Sequence, residues 1–417
     1  MHISKLNLHN YKIFSDTEIL FDSHLTVLAG KNGIGKSTIL GALAKLLSWP
    51  SRRIGNIKAN GIAIDKYSDI SYGKNESRIS LVVENGNESF SWSLVATSKG
   101  KLEQGRSDLS EVNEWAFRIQ QALSENESAV CVPLFVFYPV DRAIIDIPLR
   151  IKGAHLFQGI NALDDNMLSQ SRFRVFFEWF RNQEDLENEK RIINPSYRDK
   201  SLEAVRKALS ILLPEYSNLT VRRSPLRMEM KKNGQTVRVE GLSDGEKCLI
   251  ALVGDLARRL SMANACLEDP LKGLGIVLID EIDLHLHPAW QRNVVKKLTE
   301  AFPNCQFIMS THSPQILGDV PAGNILLLEH TNNGIEIRHP LRSLGLSSNE
   351  AIDELMGDSS GLMLSQNEDV NRDLQEIYRL IDEERYDAAS RAIEMLQRRV
   401  SEIPSVIEAR TYLESVR

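Results

Sequence analysis

The sequence predicts an α/β protein whose parallel β-sheet carries a phosphate-binding loop. The glycine-rich segment GKNGIGKST at 30–38 lies between a short apolar run at 25–29 and leucines that recur at helical spacing up to residue 47. A second apolar run at 275–279 is followed directly by two acids. Helical and strand patterns alternate between 242 and 330, which is typical of βαβ units in a parallel sheet.

The composition is that of a globular protein and excludes other classes. Hydrophobic residues make up 42% of the 417 residues and charged residues 25%, which excludes a mainly disordered chain. No apolar run approaches the ~20 residues that a membrane-spanning helix needs, so we expect no membrane contact. The first residues lack the apolar core of a secretory signal. The net charge of −6 means that any DNA contact must use a local basic patch.

The spacing of the four cysteines indicates the cellular compartment in which the protein is expected. Cys131, Cys248, Cys266 and Cys305 stand far apart and form no CxxC pair. The sequence therefore predicts neither a disulfide framework nor a zinc ribbon, and it favours the reducing cytoplasm as the location.

Residues 1–150 are predicted to form the first lobe, which holds the phosphate loop and an antiparallel β subdomain. Two alternating runs on either side of Asn85-Gly86 indicate a β-hairpin in that subdomain. A short helix at 111–123 and a buried strand at 132–138 complete the lobe.

Residues 151–215 are predicted to be a helical insertion, or arm. Four phenylalanines at helical spacing between 173 and 180 mark one face of a helix, and a second helix is expected at 202–213. We interpret the phenylalanine stripe as core or oligomer interface rather than a surface that stacks on bases, because helical spacing explains it fully.

The second lobe is predicted at 216–340 and a helical tail at 341–417. The lobe begins with a basic hairpin whose tip is Asn233-Gly234 and continues with alternating helices and strands. In the tail, two apolar stripes predict a helical hairpin with its turn near 383–387, followed by a third helix at 405–416.

The loop at 30–38 fits the pattern G-x-x-x-x-G-K-[ST] in the strand-loop-helix context that the pattern requires. Glycines let the backbone N–H groups face an anion, and the helix N-terminus adds partial positive charge. Lys36 is expected to reach the β- and γ-phosphates of ATP, and the Ser37 hydroxyl to ligate Mg²⁺. The alternative is a glycine-rich turn without a ligand. The predicted nucleotide-binding residues of the loop are Asn32, Gly33, Gly35, Lys36, Ser37 and Thr38.

Asp280 and Glu281 follow the apolar run at 275–279, at the edge of the sheet where α/β proteins bind ligands. Asp280 is predicted to hold the magnesium through water. Glu281 is predicted to polarise the attacking water. The alternative is a solvated loop that happens to contain two acids.

Two further segments point to the γ-phosphate. LSDGEK at 242–247 precedes a helix, and Ser243 with Glu246 fits a capping box. We predict that Ser243 and Gly245 bind the γ-phosphate of a nucleotide held by a second subunit; the plainer interpretation is a well-capped helix. FIMSTHSP at 307–314 ends a strand near His312, which we expect to contact the γ-phosphate and sense hydrolysis, although a lone histidine there is usually structural.

Two clusters have competing interpretations. Asp283, His285 and His287 suggest a metal site, but three ligands so close on one segment are geometrically awkward, which favours a structural or subunit-contact role. The basic hairpin either contacts nucleic-acid phosphates or is a solvated face. Its basic residues, set against Glu229 alone, are Arg222, Arg223, Arg227, Lys231, Lys232 and Arg238.

These four motifs, in this order, resemble those of the ABC-type ATPase heads of the SMC, RecF and OLD group. GKNGIGKST resembles the Walker A motif, VLIDE resembles Walker B with its catalytic glutamate, and LSDGE resembles the LSGGQ signature. Asp244 and Glu246 depart from the family's Gly and Gln. Ile282–Leu284 falls at the D-loop, and His312 matches the switch histidine. The Q-loop glutamine stays open among Gln104, Gln120, Gln121 and Gln158.

The resemblance narrows to the Septu-type PtuA ATPases, a family also found with retrons, and covers nearly the whole chain. It rests on FYPVDRAI at 137–144, FRVFFEWF at 173–180, DEIDLHLHPAWQ at 280–291 and the helical tail. It implies an ABC-type P-loop ATPase head with ATP and Mg²⁺ as cofactors, in a homo-oligomer that is a dimer or larger. It also implies anti-phage defence with a separate HNH nuclease, PtuB, for which the C-terminal helices are the expected docking element.

Two other functions stay open. One is a RecF-like DNA-binding ATPase of repair or chromosome maintenance. The other is the nucleotide-binding subunit of a transporter, which the large insertion between residues 50 and 240 disfavours. The sequence contains neither a long acidic Toprim domain nor an HNH-like cluster, and this favours a nuclease on a separate chain.

Overall fold

The computed structural model describes residues 1–99, 105–126, 129–140, 173–331, 334–356, 368–400 and 404–416. These residues form two units, Met1–Leu344 and Gly345–Arg417. The finer boundaries at residues 150 and 215 stay predictions. Within the described ranges, helices long and apolar enough to cross a membrane are absent.

The elements of the first unit are as follows. Its strands are β1 (His2–Tyr11), β2 (Phe14–Leu20), β3 (Leu25–Gly30), β4 (Glu76–Asn85), β5 (Glu88–Thr97), β6 (Leu134–Tyr138), β7 (Tyr216–Arg223), β8 (Leu226–Lys232), β9 (Gln235–Arg238), β10 (Gly275–Ile279), β11 (Cys305–Ser310), β12 (Ile325–Thr331) and β13 (Gly334–Arg338). Its α-helices are α1 (Lys36–Gly55), α2 (Ser110–Asn126), α3 (Phe173–Ile193), α4 (Lys200–Leu212), α5 (Asp244–Ala263), α6 (Pro288–Ala301) and α7 (Pro314–Leu317). Single 3₁₀ turns lie at Val239–Gly241, Pro270–Lys272 and Ala322–Asn324.

A six-stranded sheet with the order β13-β12-β3-β11-β10-β6 forms the centre of this unit. Its strands run parallel except β13, which returns antiparallel to β12. Every residue of β10 and β11 is buried, because both faces of these apolar strands are covered. The carboxyl ends of β3, β10 and β11 meet at one edge, where the phosphate loop and the acid pair emerge. The predicted α/β fold with a parallel sheet is confirmed.

The antiparallel β subdomain is a sheet with the order β2-β1-β4-β5. The predicted hairpin joins β4 and β5, and Gly86 in its turn has a φ of +62°. Phe90, Trp92 and Leu94 alternate along β5 on its buried face. The indole N–H of Trp92 donates to the carbonyl oxygen of Leu46 on α1 at 3.0 Å, so this sheet is fixed to the helix that follows the phosphate loop.

The third sheet, with the order β7-β8-β9, contains the predicted hairpin with Asn233-Gly234 between β8 and β9. Beside it, α3 buries its phenylalanine stripe in the core. The ring of Phe176 lies directly over Gly254 of α5, where an added Cβ would approach the ring to 2.7 Å. The stripe is therefore core, as one of the two sequence interpretations held.

A buried polar cluster joins β6 to α5. The Asp255 carboxylate accepts hydrogen bonds from the Tyr138 hydroxyl at 3.1 Å, from Arg258 at 2.7 Å and from Arg259 at 2.8 Å. Burial alone would raise the pKa of Asp255, but the two guanidinium groups outweigh it and hold that pKa well below its usual range. The charged cluster fixes the orientation of α5 against the sheet.

One expectation from the sequence is wrong. Cys131 and Cys266 form a disulfide, although they are separated by 135 residues and no local pattern marks them. The reason is tertiary: the Val132 amide donates to the Ala263 carbonyl at 3.0 Å, which brings the segment before β6 beside the end of α5. Cys248 and Cys305 are buried free thiols.

The second unit is a small helical assembly. Its elements are α8 (Ser348–Ala351), a π-helical turn (Ile352–Met356), α9 (Glu368–Asp382), α10 (Tyr386–Val400) and α11 (Pro404–Val416). Leu374 and Ile377 of α9, Ile393 of α10, and Val406 and Leu413 of α11 share one apolar core. The predicted helical hairpin and third helix are confirmed.

Candidate functional site

The phosphate loop starts at the end of β3 and leads into the N-terminus of α1. Gly35 has a φ of +110°, and a Cβ there would lie 2.8 Å from the side chains of Ile13 and Phe14, so this position requires glycine. Because Gly35 has no side chain with which to cap the helix, the first N–H groups of α1 are left for an anion. Asn32, Gly33 and Ser37 are exposed along this loop, and Thr38 is half-buried.

Lys36 is folded back onto the loop. Its ammonium group donates to the carbonyl oxygens of Gly30 at 2.8 Å and Lys31 at 3.0 Å, and the side chain is almost fully buried. Burial lowers the pKa of Lys36 to about 8, although Asp280 and Glu281 act in the opposite direction. A phosphate group beside Lys36 would supply the negative charge that favours its ammonium form.

Ser37 and Asp280, the two predicted magnesium residues, are in contact. The Ser37 hydroxyl donates to the Asp280 carboxylate at 3.1 Å, across 243 residues of sequence. Hydroxyl and carboxylate oxygens are the ligands that Mg²⁺ prefers, so this pair fits the ion. The orientation of the Asp280 carboxylate is fixed by a second hydrogen bond, because the Ser310 hydroxyl at the end of β11 donates to the same carboxylate oxygen at 2.5 Å.

Glu281 stands next to Asp280 in an uncommon backbone conformation. Its φ is +47°, and its amide N–H donates to the Ser310 hydroxyl at 2.8 Å. Ser310 thus orients both acids at once. The sequence analysis missed this role of Ser310, since its partners lie about thirty positions away in the chain.

The predicted D-loop is hydrogen-bonded to the segment that contains His312. The Asp283 carboxylate accepts a hydrogen bond from the Thr311 hydroxyl at 2.6 Å and another from the His312 amide at 3.2 Å. The Gln291 amide donates to the carbonyls of Asp283 and Leu286, and its oxygen accepts from the Ser313 hydroxyl at 2.8 Å. The two loops therefore form one rigid wall of the site.

His312 is half-buried beside this wall. Burial, together with the positive charge of Lys36, lowers the pKa of His312 below its ordinary value. The negative charges of Asp283 and the acid pair raise this pKa but do not outweigh the lowering. The neutral imidazole is thus favoured at pH 7, with ring nitrogens that can donate to or accept from a phosphate oxygen or a water.

The suggested metal cluster at Asp283, His285 and His287 is not formed. The Asp283 carboxylate already accepts hydrogen bonds from Thr311 and His312. His287 caps α6 by accepting a hydrogen bond from the Ala289 amide at 3.3 Å. Among the described residues no group of three or more His, Cys, Asp or Glu side chains is arranged to hold a metal ion. The structural interpretation of these residues is favoured.

Ser243 and Gly245 begin α5, where the predicted capping box is present. Ser243 is exposed, whereas Glu246 is buried. A Cβ on Gly245 would lie 2.5 Å from the carbonyl oxygen of His285, so only glycine lets the backbone that directly follows the D-loop approach so closely. His285 itself has a φ of +64°. The start of α5 and the D-loop therefore form one continuous surface.

Two of the four Q-loop candidates are excluded. The Gln120 amide donates to the carbonyls of Arg53 and Ile54, which end α1. The phosphate loop lies at the other end of this 20-residue helix, roughly 30 Å away. Gln121 lies on the same helix as Gln120 and interacts with Glu125. The other two candidates, at 104 and 158, lie outside the described residues.

The basic hairpin is less basic than the sequence indicates. Arg222 and Arg227 both pair with Glu229. Arg223 pairs with Glu184 and Asp185 of α3, and Lys232 pairs with Glu246. Acids that are distant in sequence thus neutralise much of this surface, which a count along the hairpin alone could not reveal.

Comparison with known proteins agrees with this site. Residues 25–318 match a family described as "AAA domain, putative AbiEii toxin, Type IV TA system". The retron Ec83 probable ATPase of Escherichia coli is 32% identical, with 85% of this chain and 76% of that protein covered. The retron Vc95 probable ATPase of Vibrio cholerae serotype O1 biovar El Tor is 30% identical, with 88% of this chain and 81% of that protein covered.

The Septu protein PtuA of Bacillus mycoides (strain KBAB4) is 27% identical, with 82% of this chain and 42% of that protein covered. The coverage of the two retron ATPases and the family match across the phosphate loop, Asp280 and His312 point to the same group. The chain belongs to this AAA-domain family and, within it, to the ATPases associated with retrons and Septu.

Proposed function

We propose that the chain is the ATP-binding and ATP-hydrolysing regulatory subunit of an anti-phage defence complex, and that it controls a separate HNH nuclease resembling PtuB. The observation that carries the ATPase part is the contact between Ser37 and Asp280 beside Lys36, with Glu281 and His312 at the same sheet edge. The defence role is supported by the retron and Septu relatives.

The proposed reaction converts ATP and water to ADP and phosphate. The N–H groups at the start of α1 and the Lys36 ammonium bind the phosphates. Ser37 and Asp280 would hold Mg²⁺, which when bound would neutralise charge on the phosphate oxygens. Glu281 orients the attacking water, and His312 contacts the γ-phosphate. Turnover is proposed to be slow, because a switch depends on how long each state lasts.

The switch requires a second copy of the chain. Ser243 is exposed at the start of α5, and its surface is continuous with the D-loop. A helix N-terminus is a natural anion site, so the same position on a partner copy can complete the coordination of the γ-phosphate. ATP would then join two subunits, and hydrolysis would weaken that association.

The nuclease is proposed to dock on the C-terminal helices. Several large apolar side chains of the second unit are exposed there, among them Met395, Ile407, Tyr412 and Val416. Exposed apolar groups gathered on a small helical unit favour a protein partner. The complex is proposed to be cytoplasmic, although the Cys131–Cys266 disulfide removes the argument from unpaired cysteines on which that location rested.

The proposal is tested by co-purifying the full chain with an HNH nuclease encoded beside it and measuring DNA cleavage with and without ATP. We expect a stable complex whose nuclease activity depends on nucleotide, and Lys36→Ala should abolish that dependence. Met395→Asp together with Ile407→Asp should release the nuclease and leave ATP hydrolysis intact. A nuclease that neither binds the chain nor responds to ATP contradicts the regulatory role.

A DNA contact, as in a RecF- or SMC-like ATPase, is the second candidate, and one cleft favours it. The cleft, about 670 Å³ in volume, lies between α3, α4 and the β7–β8 hairpin. Its basic residues are Arg191, Arg198, Arg206, Lys207, Arg222 and Lys231, and its acidic residues are Glu187, Glu203 and Glu229. Lys207 also pairs with Asp269, just outside the cleft, at 2.7 Å. Six basic groups against these four acids leave an excess of two positive charges, which suits a phosphate backbone.

Salt dependence tests the DNA contact. Replacing Arg191, Arg198 and Lys231 by Gln should reduce the slope of log affinity against log salt by about 2.7, or roughly 0.9 for each phosphate that is no longer neutralised. Three exposed lysines of the N-terminal region, replaced together as Lys58→Gln, Lys66→Gln and Lys74→Gln, are the control. Equal slopes for both triple variants would exclude the cleft as a DNA site.

A further inference from the structure

The Glu246 carboxylate is held from two sides at the start of α5. One of its oxygens accepts hydrogen bonds from the Ser243 amide and the Ser243 hydroxyl, both at 2.8 Å. The other accepts from the Lys232 ammonium at 2.7 Å and from the Tyr216 hydroxyl. Lys232 and Tyr216 belong to the third sheet, so this sheet reaches directly into the signature segment.

This carboxylate poses an electrostatic difficulty for the proposed function, on which the inference rests. The Ser243 hydroxyl donates its single proton to Glu246 at 2.8 Å, so it would have to turn that proton to the γ-phosphate, which would then lie close to the Glu246 carboxylate. Two negative groups so close repel one another, and the repulsion is poorly screened where water is excluded. A neutral side chain at position 246 would avoid the difficulty.

Lys232 supplies the missing countercharge. Its ammonium group lies over the ring of Tyr216 as well as beside Glu246, and a second acid, Glu215, is farther away at 3.9 Å. Burial raises the pKa of Glu246, but Lys232, Tyr216 and Ser243 outweigh burial and bring that pKa to about 2. The pair is therefore ionised at neutral pH, with its net charge near zero.

We infer that Lys232 is a positioning residue of the nucleotide switch: it neutralises Glu246 and holds its carboxylate in place, so that Ser243 can face the γ-phosphate bound by a partner copy. Lys232 itself touches no nucleotide. The three-stranded sheet thereby contributes, through Lys232, to the affinity between ATP-bound subunits.

The inference predicts a specific rescue. In a Glu281→Gln chain, which should bind ATP without hydrolysing it, Lys232→Met should weaken ATP-driven self-association at least about 10-fold. Nucleotide binding to the isolated subunit should stay unchanged, because Lys232 acts on the partner's ligand. Adding Glu246→Gln should restore association to within about threefold, since glutamine needs no countercharge. A hairpin that merely supports the fold would give no such rescue.

Association is measured by analytical ultracentrifugation with ATP and Mg²⁺, and melting temperatures are recorded for each variant. Lys74→Met, which removes an exposed lysine of the N-terminal region, is the matched control and should associate like its parent. Should Lys232→Met fold poorly, Lys232→Arg must associate normally, and the double variant must match Glu246→Gln alone.

The outcomes separate the inference from the proposed function. If the Glu281→Gln parent does not associate with ATP, the two-subunit switch fails and the inference fails with it. If the parent associates but Lys232→Met does so equally well, or the double variant stays as weak as Lys232→Met, only the inference is overturned.

Discussion

Ser310→Ala tests whether one buried hydroxyl organises both acids of the site. The Ser310 hydroxyl donates to Asp280 at 2.5 Å and accepts from the Glu281 amide at 2.8 Å, and the residue is fully buried. A hydrogen bond to a charged group contributes about 1.5–3 kcal/mol, and a partly buried N–H without a partner costs about 1–3 kcal/mol. Because the two effects share one side chain, we expect a loss of about 2–3 kcal/mol in the free energy of unfolding.

The substitution should also have a functional consequence of similar size in free energy. Groups that orient a metal ligand typically change metal affinity or activity by about 10–100-fold, so the Mg²⁺ concentration for half-maximal ATP hydrolysis should rise by that factor. The assay is the steady-state ATPase rate against Mg²⁺ concentration, paired with urea unfolding. Ser343→Ala is the control, because its buried hydroxyl donates to the Val320 carbonyl at 2.6 Å, away from the acids.

Both variants should lose stability, and only Ser310→Ala should change the Mg²⁺ dependence. A half-maximal Mg²⁺ concentration and a rate within twofold of the parent would refute the claim that Ser310 orients Asp280 and Glu281.

Four further outcomes are expected. Lys36→Ala should weaken ATP binding about 30-fold or more in a calorimetric titration, because the phosphates lose a buried cation. Burial lowers the pKa of Lys36 to about 8, so ATP affinity in the parent should be complete below pH 8 and fall above it, with proton uptake on binding; a flat profile up to pH 10 contradicts this. Glu281→Gln should retain ATP while hydrolysis drops about 100-fold or more, and hydrolysis at the parental rate would remove Glu281 from its role. Replacing Cys131 and Cys266 together by Ser should lower the free energy of unfolding by up to about 5 kcal/mol, since the bond closes a long loop; an unchanged urea midpoint under oxidising conditions would show that it contributes nothing.

The parts of the site that the sequence predicted are those with local signals. The phosphate loop is contiguous and requires glycine where φ is positive, as at Gly35. The acid pair follows an apolar strand, and Ser243 lies three residues before Glu246 in a capping box. Each of these patterns spans fewer than ten residues, so a single segment carries the information.

The parts that the sequence missed depend on contacts between distant segments. Gln291 bridges two loops, and Lys232 reaches Glu246 from another sheet. The Cys131–Cys266 bond joins residues 135 positions apart. Neither the periodicity nor the spacing of residues in the sequence predicts contacts between such distant residues, because these contacts form only when the helices and strands pack together. The net charge of the basic hairpin surface could not be judged from the sequence for the same reason, since the acids Glu184 and Asp185, which pair with Arg223, lie on α3.

The central claim is that one ATP is bound jointly by two copies of the chain, and subunit mixing tests it most directly. Lys36→Ala removes the phosphate-loop half of the site, and Ser243→Arg blocks the half supplied by α5. Each variant alone should be inactive. An equimolar mixture should recover about a quarter of the parental ATPase rate, because about half of all dimers are then mixed and each mixed dimer contains one intact composite site out of two. A mixture as inactive as its components, or full activity of Ser243→Arg alone, would contradict the shared site.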